Sequence, residues 1–140
     1  MSHSICISSE DSMQHYTGNC AIDFISVLPT SLDLNRQYEI ALIDYQLIAG
    51  SIPIEETHIN VHCNIVNESY VNGKMQSILR PLYIKRNVRQ YHEFRYPLYI
   101  AINTNQIRFI HVQITNNKNS TPAFSIESFK CTLLVRPIKM

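Results

Sequence analysis

Hydrophobic residues in this chain come in runs of roughly six to thirteen positions, separated by clusters of Asn, Asp, Ser, Gly and Pro, a spacing that suits an antiparallel sandwich or barrel. Residues 58–66 alternate most cleanly: Ile59, Val61, Cys63 and Ile65 share one face, and His58, Asn60, His62 and Asn64 share the other. Successive side chains point to opposite sides of a strand, so the pattern predicts a strand with one dry face and one wet face.

Period-two patterning places further strands at 4–8, 20–28, 37–49, 74–84, 91–102, 107–115 and 123–136. The second of the chain's eight is expected to stop at Pro29, and the fifth to follow a turn at Asn72-Gly73. A helix competes over 37–49, but Tyr38, Ile40 and Leu42 opposing Ala41, Ile43, Tyr45 and Leu47 fit a strand better. Over 107–115, Arg108, Ile110, Val112 and Ile114 fall on one face. Over 123–136, Phe129, Cys131, Leu133 and Val135 alternate while Phe124 and Ile126 sit in the opposite phase, which predicts a bulge near Glu127-Ser128. The polar stretch 9–19 reads as a loop. Eight strands with long connections predict one all-β domain over 1–140, an eight-stranded single jelly-roll sandwich of two four-stranded antiparallel sheets.

Composition agrees with this reading. Ile occurs 20 times against 5 for Ala, Trp is absent and Gly occurs 3 times, a bias toward β-branched, half-buried strands. Charged residues make up 16% of the chain, below the roughly 25% usual in soluble domains, so part of the surface is expected to be covered by a partner. The net charge of +1 hides a division. Residues 1–70 hold nine acids and one base (Arg36), and residues 71–140 hold eleven bases and two acids (Glu93, Glu127), so −8 faces +9. In a sandwich that interleaves both halves, such charges can neutralise one another within a subunit or across a contact. With no long apolar run and no basic-then-apolar start, neither a membrane span nor a signal peptide is expected, and the chain reads as cytosolic or nuclear when made.

Candidate chemistry is sparse. Cys6, Cys20, Cys63 and Cys131 form no C-x-x-C pair and are expected to be buried thiols. On a strand, His58 and His62 stand about 13 Å apart, too far to share a metal. No Ser-His-Asp grouping, Gly-rich phosphate loop or H-E-x-x-H occurs, so no enzyme and no cofactor is expected. A cupin-like enzyme would need clustered ligands beyond His62 and His111. The stretch from Tyr83 to Tyr99 interleaves Lys85, Arg86, Arg89 and Arg95 with Tyr91, Phe94 and Tyr96, which suits a single-stranded nucleic-acid platform. A pI near 7.7 argues instead for aromatics that pack inward and bases that meet the acidic half, so nucleic acid is not the expected partner.

The block "YTGNCAIDFISVLPTSLDLNRQYEIALIDYQLI" (Tyr16 to Ile48) resembles a signature of the small single-jelly-roll minor capsid (penton) proteins of Polinton (Maverick) elements and adintoviruses. Its pieces are Tyr16 and Asn19 in a loop, a strand closed by Leu28-Pro29, then Leu32 and Leu34, then Tyr38-Glu39-Ile40-Ala41-Leu42. "INVHCNIVNESYVNGKMQSILRPL" (Ile59 to Leu82) and "YPLYIAINTNQIRFIHVQITNNKNSTPAF" (Tyr96 to Phe124) resemble later segments of the same family, so the likeness covers roughly 16–136. Asn116-Asn117-Lys118 stands where the family has an acidic Arg-Asp pair, and no role of those acids is carried over.

The resemblance implies a penton (vertex) protein that forms homopentamers in an icosahedral shell beside a separate double-jelly-roll major capsid protein. It would be located in the virion capsid, made in the host cytoplasm and assembled there or in the nucleus. In jelly-roll order the loops at 9–19, 50–57, 86–90 and 116–122 gather at one end. The expected subunit-interface residues are Glu10, Asp11, Glu55 and Glu56 against Lys85, Arg86 and Arg89, with Arg95 further along. The alternative is a cellular oligomeric β-sandwich binding module. A nucleoplasmin-like version wants a long acidic tract and a cytokine-like version wants a signal or anchor, and neither is present.

Overall fold

The computed structural model describes residues 2–15, 18–50, 52–53, 58–71, 73–85, 89–118 and 120–139. In chain order the elements are β1 (His3–Ser8), α1 (Ser9–His15), β2 (Asp23–Asp33), β3 (Tyr38–Ala49), β4 (His58–Cys63), β5 (Ser69–Val71), β6 (Lys74–Gln76), β7 (Ile78–Tyr83), β8 (Arg89–Glu93), β9 (Ile100–Ala101), β10 (Gln106–Asn116) and β11 (Ile126–Pro137).

One sheet has the order β1-β11-β3-β8, and the other β2-β10-β4-β7, all antiparallel. β8 and β9 pair successive parts of β3, from Ile48↔Arg89 to Asp44↔Glu93 and then Ile40↔Ile100 to Glu39↔Ala101. They therefore occupy a single edge position, interrupted where 94–99 loop out. Consecutive strands repeatedly change sheets, as from β1 to β2, β3 to β4 and β10 to β11, which is jelly-roll connectivity. β5 and β6 add a small hairpin, with Gly73 in its turn at φ +81°, a backbone state glycine adopts without steric cost.

The core lies between the sheets. Phe24, Ile40, Leu42, Ile59, Leu82 and Phe129 are among its fully buried side chains, each stabilising the fold by about 1.5–3 kcal/mol relative to exposure. Ile59, Val61, Cys63 and Ile65 face it as their alternation predicts. Asn60, on the opposite face, is also buried, and its amide donates to the Asn116 carbonyl. The bulge near Glu127-Ser128 is present as a register shift between Ile126 and Ser128.

Several local expectations are corrected. β2 does not stop at Pro29 but continues to Asp33. It is an edge strand, where a residue without an N–H is tolerated. Beside it Ile107 pairs Leu32 while Phe109 pairs Val27, so residues 28–31 stand opposite Arg108 alone, three more than a regular register has. That irregularity turns Arg108 outward between buried Ile107 and Ile110, off the face it was expected to share. The segment 74–84 divides into β6 and β7, and 91–102 into β8 and β9. The stretch 9–15 is a helix rather than loop, with Glu10 and Asp11 in its first turn, where carboxylates favour the positive helix end. All four thiols are free, but only Cys63 and Cys131 are buried, while Cys6 and Cys20 are exposed.

Candidate interaction surface

Strand direction sets which residues meet at each end of the sandwich. Ser8 pairs Lys130, Ala49 pairs Ile126 and Ile48 pairs Arg89 in one sheet, while Gln113 pairs Asp23, Asn116 pairs Ile59 and His58 pairs Tyr83 in the other. The residues flanking 9–22, 50–57, 84–88 and 117–125 thus lie at one common end. Glu10 and Asp11 are exposed there on α1, and Lys85 and Arg89 are exposed on either side of 86–88. Glu55, Glu56 and Arg86 lie outside the described residues. Arg95 is exposed within 94–99, its guanidinium 5.7 Å from the centre of the Tyr96 ring. It is thus displaced along the edge from the end that carries Lys85 and Arg89.

The acids and the bases occupy opposite flanks. α1 follows β1 and contacts β1, β2 and β11, whereas Arg89 lies on β8. Two strands, β11 and β3, intervene, about 14 Å at roughly 4.8 Å per spacing. α1 is held by polar contacts that its sequence supplies. The Ser9 hydroxyl, fully buried, accepts from the Phe129 N–H at 2.9 Å. The Asn19 amide donates to the Ser12 carbonyl at 3.3 Å and the Ile25 carbonyl at 3.0 Å, and its oxygen accepts from the Ile25 N–H at 3.1 Å.

The opposite flank is a groove of about 860 Å³ between edge strands β7 and β8. Val61 and Ile59 face the core, so their partners Arg80 and Leu82 face inward too. Across the opening, Tyr45 pairs His92, placing Gln90, His92 and Phe94 on the inner side. Arg80 enters this seam as a cation, with its guanidinium 3.8 Å from the Phe94 ring centre and donating to the Tyr96 carbonyl at 3.4 Å. Such a contact lets a charged group sit on the edge of an apolar core. The Tyr45 hydroxyl donates to the Tyr83 carbonyl at 3.4 Å, and burial pushes its phenol pKa up. Gln90 fixes the upper rim: its oxygen accepts from the Lys85 N–H at 2.9 Å and its amide donates to the Lys85 carbonyl at 2.7 Å.

The aromatics of this stretch do not pack inward as expected. Tyr83, Tyr91 and Tyr96 are 84%, 65% and 78% exposed, while Phe94 and Tyr99 are half-buried. For Tyr91 the signal was present in the phase: with Phe94 inward, Gln90 and His92 follow it and Tyr91 and Glu93 point out, whereas Tyr96 lies beyond the end of β8, where the alternation no longer applies. Nor do the bases of this stretch pair with the acidic half in any described ion pair. The halves do meet elsewhere, at Arg136–Glu39 (3.0 Å) and His111–Asp23 (2.5 Å).

His62 is half-buried, with Nε2 2.9 Å from the Thr115 hydroxyl, and burial lowers its pKa. Among the described residues no three His, Cys, Asp or Glu side chains are grouped to hold a metal, and no helix is long and apolar enough to cross a membrane.

No protein-family model matches the chain, and no curated protein matches it. Among solved structures the chain is similar to the mavirus penton protein, whose crystal structure was determined in selenomethionine-labelled form. The TM-score is 0.68 at 7% identity, over 99% of this chain and 100% of that one. At that identity the likeness is one of fold, and the fold is the jelly roll that the mavirus penton protein also adopts.

Proposed function

We propose that the chain is a vertex (penton) subunit of a viral capsid, a one-domain protein over 1–140 that forms homopentamers in an icosahedral shell beside a double-jelly-roll major capsid protein. The observation that carries this reading is the end-to-end match to the mavirus penton protein, with neither chain leaving a second domain unmatched. Mavirus is a Polinton-like virus, the group that the sequence patterns over 16–136 resemble by a separate route. The role is structural, its location is the virion, and its partners are copies of itself and the major capsid protein.

The charge layout supports a cyclic assembly. A ring larger than two uses heterologous contacts, one flank against a different flank of the neighbour. Here one flank carries exposed carboxylates on α1 and the other carries Lys85, Arg89 and Arg95.

Native mass spectrometry of the full chain tests the reading, with five copies as the expected species. A monomer that persists at high micromolar concentration would sink it. Co-expression with the major capsid protein of the same genome should then place the chain at the five-fold positions of assembled particles by electron microscopy.

A further inference from the structure

We propose that the groove between β7 and β8 is a socket for the α1 corner of a second copy of this chain, so that the ring is built by one recurring knob-in-groove contact. This rests on the ring-forming reading above and adds which surfaces meet.

The two flanks of the sandwich are finished differently. On the β1/β2 flank α1 bridges the two sheets, with Ser9 and Ser12 buried against them and Glu10 and Asp11 exposed. On the β7/β8 flank two edge strands stand open, and the floor between them is core-like: Tyr45 and Leu82 are buried there and Phe94 is half-buried beneath Arg80. Around this opening Tyr83, Tyr91, Tyr96 and Leu98 are exposed, four of the nine large exposed hydrophobic residues among those described. Apolar groups gathered in one concavity with cations at its margin are the signature of a surface that is covered in the working assembly.

Shape, charge and level point to the same occupant. The convex flank carries Glu10 and Asp11, and the concave flank carries Lys85 and Arg89. A cyclic rotation moves every residue around the axis without changing its height, so partners in a ring must lie at the same level of the subunit. With the sandwich upright on the axis, this condition is met, because α1 follows Ser8, Lys85 follows Tyr83 and Arg89 pairs Ile48, all at the same end of the two sheets. A single-stranded nucleic acid fits the tyrosines less well: Asp44 and Glu93 form a cross-strand acidic pair adjoining Tyr91, against which a phosphate chain would be repelled.

The test compares assembly of four full-length proteins by native mass spectrometry and sedimentation, with circular dichroism verifying the fold of each. These are wild type, Glu10→Lys/Asp11→Lys, Lys85→Glu/Arg89→Glu, and the four substitutions combined. Each double reversal should weaken assembly at least tenfold, and the combined swap should restore most of it, since opposite charges again face one another. Tyr96→Ser supplies a charge-independent arm and should also weaken assembly.

A wild-type ring that survives both reversals unchanged overturns the socket while leaving the vertex reading intact. Reversals that weaken assembly without recovery in the swap overturn it as well. A wild-type chain that never assembles overturns both. Tight binding of an oligothymidylate that Lys85→Glu/Arg89→Glu abolishes, with the ring unaffected, assigns the groove to nucleic acid instead.

Discussion

Gln90→Ala should loosen the rim of the groove by a measurable amount. The side chain supplies an acceptor to the Lys85 N–H at 2.9 Å and a donor to the Lys85 carbonyl at 2.7 Å. A neutral hydrogen bond contributes about 0.5–1.5 kcal/mol net, so the pair sums to roughly 1–3 kcal/mol. Lys85 itself is exposed, and water can replace part of what is lost, which puts the expected cost near the lower end, about 1–1.5 kcal/mol. For a chain of this length that is a fall of a few degrees in Tm. Gln90→Glu keeps the acceptor but sets a carboxylate against the Lys85 carbonyl, so at neutral pH it should destabilise at least as much. It should recover in acid, where the protonated carboxyl can donate. Urea unfolding at constant m-value reads the energy, and hydrogen exchange of the Lys85 amide reads its location. A loss in Gln90→Ala below about 0.5 kcal/mol, the range of neutral surface changes, together with a Lys85 amide exchanging at the wild-type rate, would refute the assignment.

Three further outcomes follow from the same structure. Asp44 and Glu93 are direct cross-strand partners of like charge, so Glu93→Gln should stabilise the chain by about 0.2–1 kcal/mol at neutral pH; an unchanged urea midpoint at pH 7 would count against the pairing. In the native state a thiol reagent should label Cys6 and Cys20 quickly and spare Cys63 and Cys131. Burial pushes Cys63 up to about 11 and raises Cys131 well above the ordinary range, and the thiolate is the reactive form. Mass spectrometry counts the adducts, and rapid labelling at Cys131 would contradict its burial. Burial holds the His62 pKa below its usual 6.5, so below that pH the unfolded chain binds the proton more readily than the folded one. The stability tied to neutral His62 is therefore complete above about pH 6.5 and is lost as pH falls through the lowered folded value. His62→Gln should flatten the acid limb of a stability–pH curve, and an identical limb in the variant would exclude His62 as its source.

How much of this molecule its sequence determined depends on the range of the interactions involved. Strand existence and facing are governed by neighbours one and two positions away, so the alternation at Ile59, Val61, Cys63 and Ile65 was sufficient to orient β4, and the phase change after Ile126 to locate a bulge. Eight strand regions were legible for the same reason, although 74–84 and 91–102 each divide in the structure; the jelly-roll arrangement was an inference from their number and long connections. Where a strand sits in its sheet is a long-range property. Pro29 reads as a stop in sequence, yet β2 passes it because only its far side needs a partner strand. Arg108 turned outward because β2 carries extra residues opposite it. Helix α1 was invisible to periodicity, being seven residues long and anchored through Ser9 to Phe129 on a strand distant in sequence. The division of charge between the two halves of the chain was plain in the sequence. That Glu10 and Asp11 stand on one flank, with Lys85 and Arg89 across two intervening strands on the other, was decided only by the order in which the strands pair. That order also left the β7/β8 seam open, with its tyrosines outside.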